Sequence, residues 1–190
     1  MHSMVLDPRD TDRFWVGISA VGVFGTKDSS ENWQTMNEGV RADFFPDPFP
    51  EFGQCTHKLL SPNSRPDRLY QQNHCGVFRS DSAGENWVDI TGDLPSRFRF
   101  VLGLHSQDPD TIYVLPEDEA LGDQIGGGKR YVTDAKMRGF RSRNAGRDWE
   151  PMTKGLPQEN AYINVLREGM ATDALDPCGI YLGTTNGQLF

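Results

Sequence analysis

Cysteine is scarce. Cys55, Cys75 and Cys178 are the three in 190 residues. That is too few for a disulfide scaffold and fits reduced thiols in a cytosolic protein. Long apolar runs are missing too, so no segment reads as a transmembrane helix. The N-terminus, Met1-His2-Ser3-Met4-Val5-Leu6-Asp7, has no basic region followed by a long apolar core. It does not read as a secretory signal, and the expected location is cytoplasmic. Nor is there an excess of positive charge: 19 Lys and Arg against 27 Asp and Glu give a net −8. That argues against general affinity for nucleic acid or an anionic membrane.

Turn formers are plentiful. Twenty Gly, 12 Pro and 11% aromatics suit many short strands joined by turns, and fit long helices poorly. A single domain, 1–190, with a sizeable core is expected.

A repeat organises the chain. Thr26-Lys27-Asp28-Ser29-Ser30-Glu31-Asn32-Trp33 recurs as Ser80-Asp81-Ser82-Ala83-Gly84-Glu85-Asn86-Trp87, then as Ser142-Arg143-Asn144-Ala145-Gly146-Arg147-Asp148-Trp149. Each follows a short strand ending Val-Phe or Gly-Phe, and reads as a tight hairpin loop. The Trp anchors are 54 and 62 residues apart, enough for four strands of five or six residues plus turns. Within each unit a Pro-bearing turn joins the first two strands, as at Asp7-Pro8, Ser61-Pro62, Asp108-Pro109 and Asp176-Pro177. Proline presets φ for such a turn and cannot donate to a ladder. Repeated four-stranded antiparallel units predict an all-β propeller. The blades fall at about 2–39, 55–95, 100–156 and 162–190, three complete and the fourth incomplete. The missing fourth loop after Phe190 suggests a fragment of a larger propeller, with a small four-bladed ring as the other reading.

Two segments interrupt the repeat. Residues 40–54 carry four Phe among prolines and are expected to pack down on the fold. Residues 116–131 contain Glu117-Asp118-Glu119 and Gly126-Gly127-Gly128 and read as a mobile surface excursion. The glycine run is a poor phosphate loop, because no Lys-Ser/Thr and helix follow it.

The loop Ser-x-Asp-x-Gly-x-x-Trp resembles the Asp-box, or bacterial neuraminidase (BNR) repeat. That repeat occurs in sialidases, in sortilin-type domains and in the photosystem II assembly factor. The chain is most similar to bacterial glycosyl-hydrolase-like BNR propellers. The resemblance assigns Thr26, Asp28, Trp33, Ser80, Ser82, Gly84, Trp87, Ser142, Asn144, Gly146 and Trp149 to structural boxes. It implies that these are turn staples remote from any site. The boxes depart from the pattern at Thr26, Ser30, Ser82 and Asn144, each substitute keeping a side chain that can serve a turn. The Arg-Ile-Pro motif of true sialidases is absent, so the resemblance transfers no catalytic residue.

The densest polar cluster lies in the second unit. Pairing Leu60 with Tyr70 places His57 opposite Asn73 and Cys55 opposite Cys75. Three readings stay open: a cross-strand disulfide, a metal site for which Cys55, His57, His74 and Cys75 are weak candidates, and buried thiols with hydrogen-bonded imidazoles. No cofactor is implied. A binding cleft over the central channel would collect Arg41, His57, Gln72, His74, Arg97, Arg99, Tyr162, Arg167 and Glu168. Arg, His and Tyr together suit a carboxylate or sugar ligand. The expected function is a non-catalytic ligand- or protein-binding or assembly propeller, with a carbohydrate or protein as partner. The other function is a sialidase-type glycoside hydrolase using a pair such as Tyr162 and Glu168. Open blade edges would also favour self-association.

Overall fold

The computed structural model describes residues 1–118 and 130–190. Glu119 and the glycine run 126–128, part of the excursion expected above, lie outside the described residues. The first sheet is β1 (Ser3–Asp7), β2 (Asp10–Ile18), β3 (Gly22–Thr26) and β4 (Gln34–Thr35). The second is β5 (Thr56–Leu60), β6 (Leu69–Asn73), β7 (Gly76–Ser80) and β8 (Val88–Asp89). The third is β9 (Leu102–Leu104), β10 (Ile112–Val114), β11 (Gly139–Ser142) and β12 (Glu150–Met152). A two-stranded sheet follows, β13 (Met170–Thr172) and β14 (Ile180–Leu182). The expected third strand there, 187–190, is reduced to one bridge between Gly183 and Leu189 and two backbone bonds between Leu182 and Phe190.

Every described pairing between named strands is antiparallel and joins neighbours in sequence. The first strands adjoin one another in chain order: β1 touches β5, β5 touches β9, and β9 touches β13. The fourth strands, β4, β8 and β12, lie at the opposite side of their sheets. The chain is therefore an all-β propeller with its first strands innermost. β6 is buried at all five residues, as expected for an inner strand covered on both faces. Among the described residues no helix is long and apolar enough to cross a membrane.

Apolar clusters fill the spaces between sheets. Trp15, Val23, Met36, Leu59, Leu69, Phe78 and Trp87 pack between the first and second. Tyr70, Val77, Ile90, Leu102, Ile112 and Phe140 pack between the second and third. Burying each such side chain contributes about 1.5–3 kcal/mol.

Polar straps cross the same seams. Trp87 donates its indole N–H to the Met36 carbonyl at 2.9 Å, and Trp149 does the same to Ile90 at 2.9 Å. Trp15 reaches the other way, to the Ala83 carbonyl at 2.8 Å. Trp33 differs: it is 41% exposed and stands edge-on against Phe14.

The three box turns share one hydrogen-bond pattern. The first side-chain oxygen accepts from the amides two and four residues on. For Ser80 these are Ser82 at 3.2 Å and Gly84 at 2.9 Å; for Ser142 they are Asn144 at 3.3 Å and Gly146 at 2.8 Å. Thr26 does likewise with Asp28 at 3.4 Å and Ser30 at 3.1 Å. The third position then accepts from the amide four further on, through Asp28, Ser82 or Asn144. Thr26, Ser82 and Asn144 thus each supply an acceptor that the turn needs. The fifth position has positive φ, +92° at Gly84 and +88° at Gly146, but Ser30 carries +77° with a Cβ.

Residues 40–54 pack down, but not through their phenylalanines: Phe44, Phe45, Phe49 and Phe52 are 51, 44, 50 and 61% exposed. The loop is held instead by Val40, Ala42 and Gln54, which are fully buried. Its own turns (Ala42 N–H to Pro48 O, Phe45 N–H to Ala42 O) push the phenylalanine rings outward.

Two substitutions test the turn. Ser30→Gly should stabilise the protein by about 1 kcal/mol in urea denaturation, by removing a left-handed Cβ. Gly146→Ala should destabilise it by more than that, because its Cβ would lie 2.5 Å from Ile90 Cδ1 in addition to the φ penalty. Equal and negligible shifts would contradict this account of the turn.

Candidate functional site

The polar cluster forms at the start of β5, but in a different register from the one expected. Leu60 does face Tyr70; a β-bulge between Thr56 and Lys58 then shifts everything beyond it by one residue. Thr56, not His57, stands opposite Asn73, and Cys55 O accepts from His74 N at 2.9 Å. A bulge opposes two residues to one and re-aims a side chain. Thr56 turns toward the first sheet, where its Cγ2 lies against Gly17. His57 turns the other way, toward Phe98, Arg99 and Phe100. The expected Cys55–Cys75 pairing is overturned. None of the three cysteines is in a disulfide, and the buried Cys75 instead accepts from the Asp43 amide through Sγ at 3.4 Å.

What gathers is Cys55, His57 and His74, whose donor atoms all lie within 4.8 Å of one another. Cys55 Sγ is 3.5 Å from His57 Nε2. His57 is 1% exposed and its Nδ1 lies 2.6 Å from the Arg99 carbonyl oxygen. A carbonyl only accepts, so Nδ1 carries the proton and Nε2 directs its other valence at the sulfur. Burial alone would raise the Cys55 thiol, but hydrogen bonds from His57 and His74 outweigh it and bring it down to about 5.

Aromatic rings wall the cluster. His57 and His74 meet Phe98 edge-on at 5.4 and 4.9 Å, and Phe44 stands edge-on to His74 at 5.7 Å. Two guanidinium groups cap this wall: Arg130 lies 4.6 Å over Phe98 and Arg167 4.8 Å over Phe100. Behind them Glu117 is fully buried, accepting from Val165 N at 2.8 Å. Burial pushes its carboxyl up to about 7, against the pull of that amide and of Arg130.

The other expected cleft residues separate. Gln72 and Arg99 are fully buried. Gln72 Nε2 donates to the Asn73 and Gly76 carbonyls, and Arg99 Nη2 donates to the Ser96 carbonyl. Burial, with Arg97 nearby, brings the Arg99 guanidinium down to about 9, still cationic at neutral pH. Arg41 pairs with Asp43, and Arg97 with Asp89. Glu168, 71% exposed at its side chain, pairs with Lys58 at 2.5 Å, while Tyr162 stacks edge-on with Tyr131 at 5.3 Å. Each half of the proposed Tyr162–Glu168 pair thus has its own partner. Sequence reasoning missed Phe44, Phe98, Phe100, Glu117 and Arg130. The alternation Arg97-Phe98-Arg99-Phe100 was the available signal, but it misleads, since Phe98, Arg99 and Phe100 are all buried. Two grooves of about 610 Å³ each lie elsewhere, against the exposed face of the first sheet and between the third sheet and the two-stranded one.

No protein-family model matches the sequence, and no curated protein matches it. Among solved structures the chain is similar to an ancestral GH74 enzyme, with TM-score 0.63 and 13% identity over 96% of this chain and 21% of that one. It is also similar to the GH74 enzyme of Niastella koreensis, with TM-score 0.52 and 16% identity over 81% of this chain and 22% of that one. YCF48 from Cyanidioschyzon merolae aligns with TM-score 0.46 and 16% identity over 78% of this chain and 35% of that one. The two GH74 superpositions show a shared propeller fold. The chain spans about a fifth of the length of either GH74 enzyme, 21% and 22%.

Glu117 gives this site a pH signature. Its folded pKa is raised from 4.5 to about 7, so the folded state holds the proton more tightly than the unfolded chain. Stability is therefore greatest below pH 4.5 for this group and falls as pH rises to 7, by up to about 3 kcal/mol. Glu117→Gln should remove that decline and raise the melting temperature at pH 8. An unchanged pH profile would contradict the assignment.

Proposed function

We propose that this chain is a non-catalytic binding propeller of the Asp-box type that takes an acidic protein segment at the inner rim, 1–190 acting as one propeller unit. One observation carries the reading. A loop exposing Phe44, Phe45, Phe49 and Phe52 runs beside a wall on which Arg130 and Arg167 are stacked, in a protein of net charge −8. Among the described residues neither guanidinium forms an ion pair, whereas Arg9, Arg68 and Arg97 do. Exposed aromatics with Arg are the composition of binding hot spots. Guanidinium groups held flat against rings present their N–H edges to a carboxylate. The box geometry supports the Asp-box assignment, with the boxes as turn staples.

The catalytic alternative has less support. A glycosidase needs two carboxylates about the scissile bond. Glu168 is committed to Lys58 and Glu117 is fully buried. The GH74 likeness concerns the fold.

Selection from a displayed random-peptide library tests this reading. Recovered peptides should be rich in Asp, Glu or a free C-terminal carboxylate beside apolar residues. Their affinity should fall about tenfold on Arg167→Ala, the loss expected for one charged hydrogen bond, and fall again on Phe44→Ser. Hydrolysis of a fluorogenic glycoside by the purified chain, lost on Glu168→Gln, would overturn it.

A further inference from the structure

We propose that Cys55, His57 and His74 form a binding site for a single borderline-soft divalent metal ion, zinc foremost. The inference stands on geometry and donor chemistry and does not depend on the peptide-binding reading. Zinc bonds of about 2.3 Å to sulfur and 2.0–2.1 Å to nitrogen, set at a tetrahedral angle, place those donors about 3.6 Å apart. Cys55 Sγ and His57 Nε2 are 3.5 Å apart. One edge of the tetrahedron is already at its bonded length.

The ring is also prepared for the role. Metal-bound histidines commonly donate their second N–H to a carbonyl or carboxylate, which fixes both tautomer and orientation. His57 Nδ1 meets the Arg99 carbonyl at 2.6 Å, and the ring is wedged between Phe98 and Phe100 at 5.4 and 4.9 Å. The bulge that aims it interrupts an otherwise regular β5–β6 ladder. His74 sits on the β6–β7 turn, half-buried, with its donor within 4.8 Å of the other two. Bringing that donor from within 4.8 Å to a bonded edge of about 3.6 Å takes a movement of about 1 Å at most. The thiolate and two imidazoles suit zinc or copper and disfavour magnesium or calcium.

Three protein ligands leave a fourth position for water or an incoming group. Cys55 and His74 are both partly exposed, so solvent can reach that position. Binding is an exchange without redox change: the cation takes the place of the Cys55 thiol proton, which leaves to solvent.

The test uses the full chain without a histidine tag, stripped with chelator and titrated with Zn²⁺ and then Co²⁺. One equivalent of zinc should bind. The Co²⁺ complex should show thiolate-to-metal charge transfer in the near ultraviolet and strong tetrahedral d–d bands in the visible. Cys55→Ser should abolish the charge-transfer band and weaken zinc binding at least about 100-fold, while Cys75→Ser and Cys178→Ser leave both intact. His57→Gln removes a buried ring, so Cys55→Ser at a partly exposed site is the primary variant, its fold checked by circular dichroism. Less than stoichiometric zinc, or zinc binding without the cobalt charge-transfer band, would overturn the proposal. So would equal affinity in folded Cys55→Ser.

Discussion

The structure depends on a side-chain oxygen at the first position of each box turn. Ser80 and Ser142 each satisfy two amides of a left-handed turn that would otherwise leave those donors unpaired, and Thr26 does so in the first sheet. Each such bond contributes only about 1 kcal/mol net, but an unmet buried donor costs more. The fixed turn sets where the following strand begins and where its tryptophan points. Trp87 and Trp149 then tie one sheet to the carbonyl of the sheet before it. Arginines repeat the tie at the Pro-bearing turns, Arg9 to Asp67 and Arg68 to Asp110. Apolar packing supplies the bulk of the free energy. These straps set the angle at which it accumulates.

That angle is what brings the first strands together on the inside. Once β5 lies beside β9, a local irregularity in β5 becomes a shared feature of two sheets. The bulge at His57 turns an imidazole out of the second sheet and into the segment 98–100 that leads to the third. Cys55 and His74 follow because they pair across the end of the same hairpin. The cationic wall forms from farther along the chain, Arg130 and Arg167 settling on Phe98 and Phe100. Among the described residues there, Glu117 behind it is the carboxyl that burial drives toward neutrality.

The architecture was legible because the repeat is written in turn chemistry. The strands Gly22–Thr26 and Gly76–Ser80 run straight into the loops that the repeat marks at Thr26 and Ser80. Ser82 and Asn144 were readable as acceptor-preserving changes, and both act as acceptors. The site was legible in its members but not in its geometry. Cys55, His57 and His74 stood out by residue type, yet a regular ladder predicts Cys55 beside Cys75. A bulge adds one residue without changing composition, and nothing in Cys-Thr-His-Lys announces it. Arg99 and Gln72 were misplaced because polarity was taken for exposure. Both are buried with some of their hydrogen-bonding groups met by backbone carbonyls. The phenylalanines of residues 40–54 were misplaced for the opposite reason. Apolarity predicts burial only where the backbone can turn the ring inward, and the short proline-bounded turns there prevent it.

The bulge at His57 is the claim on which the site rests, and anomalous diffraction from crystals grown with zinc examines it most directly. Data collected on both sides of the zinc absorption edge should show one peak per chain, within bonding distance of Cys55 Sγ, His57 Nε2 and the His74 imidazole. His57 Nδ1 should still face the Arg99 carbonyl. A peak at the exposed carboxylates alone, or a regular β5 ladder with His57 opposite Asn73, would contradict the account.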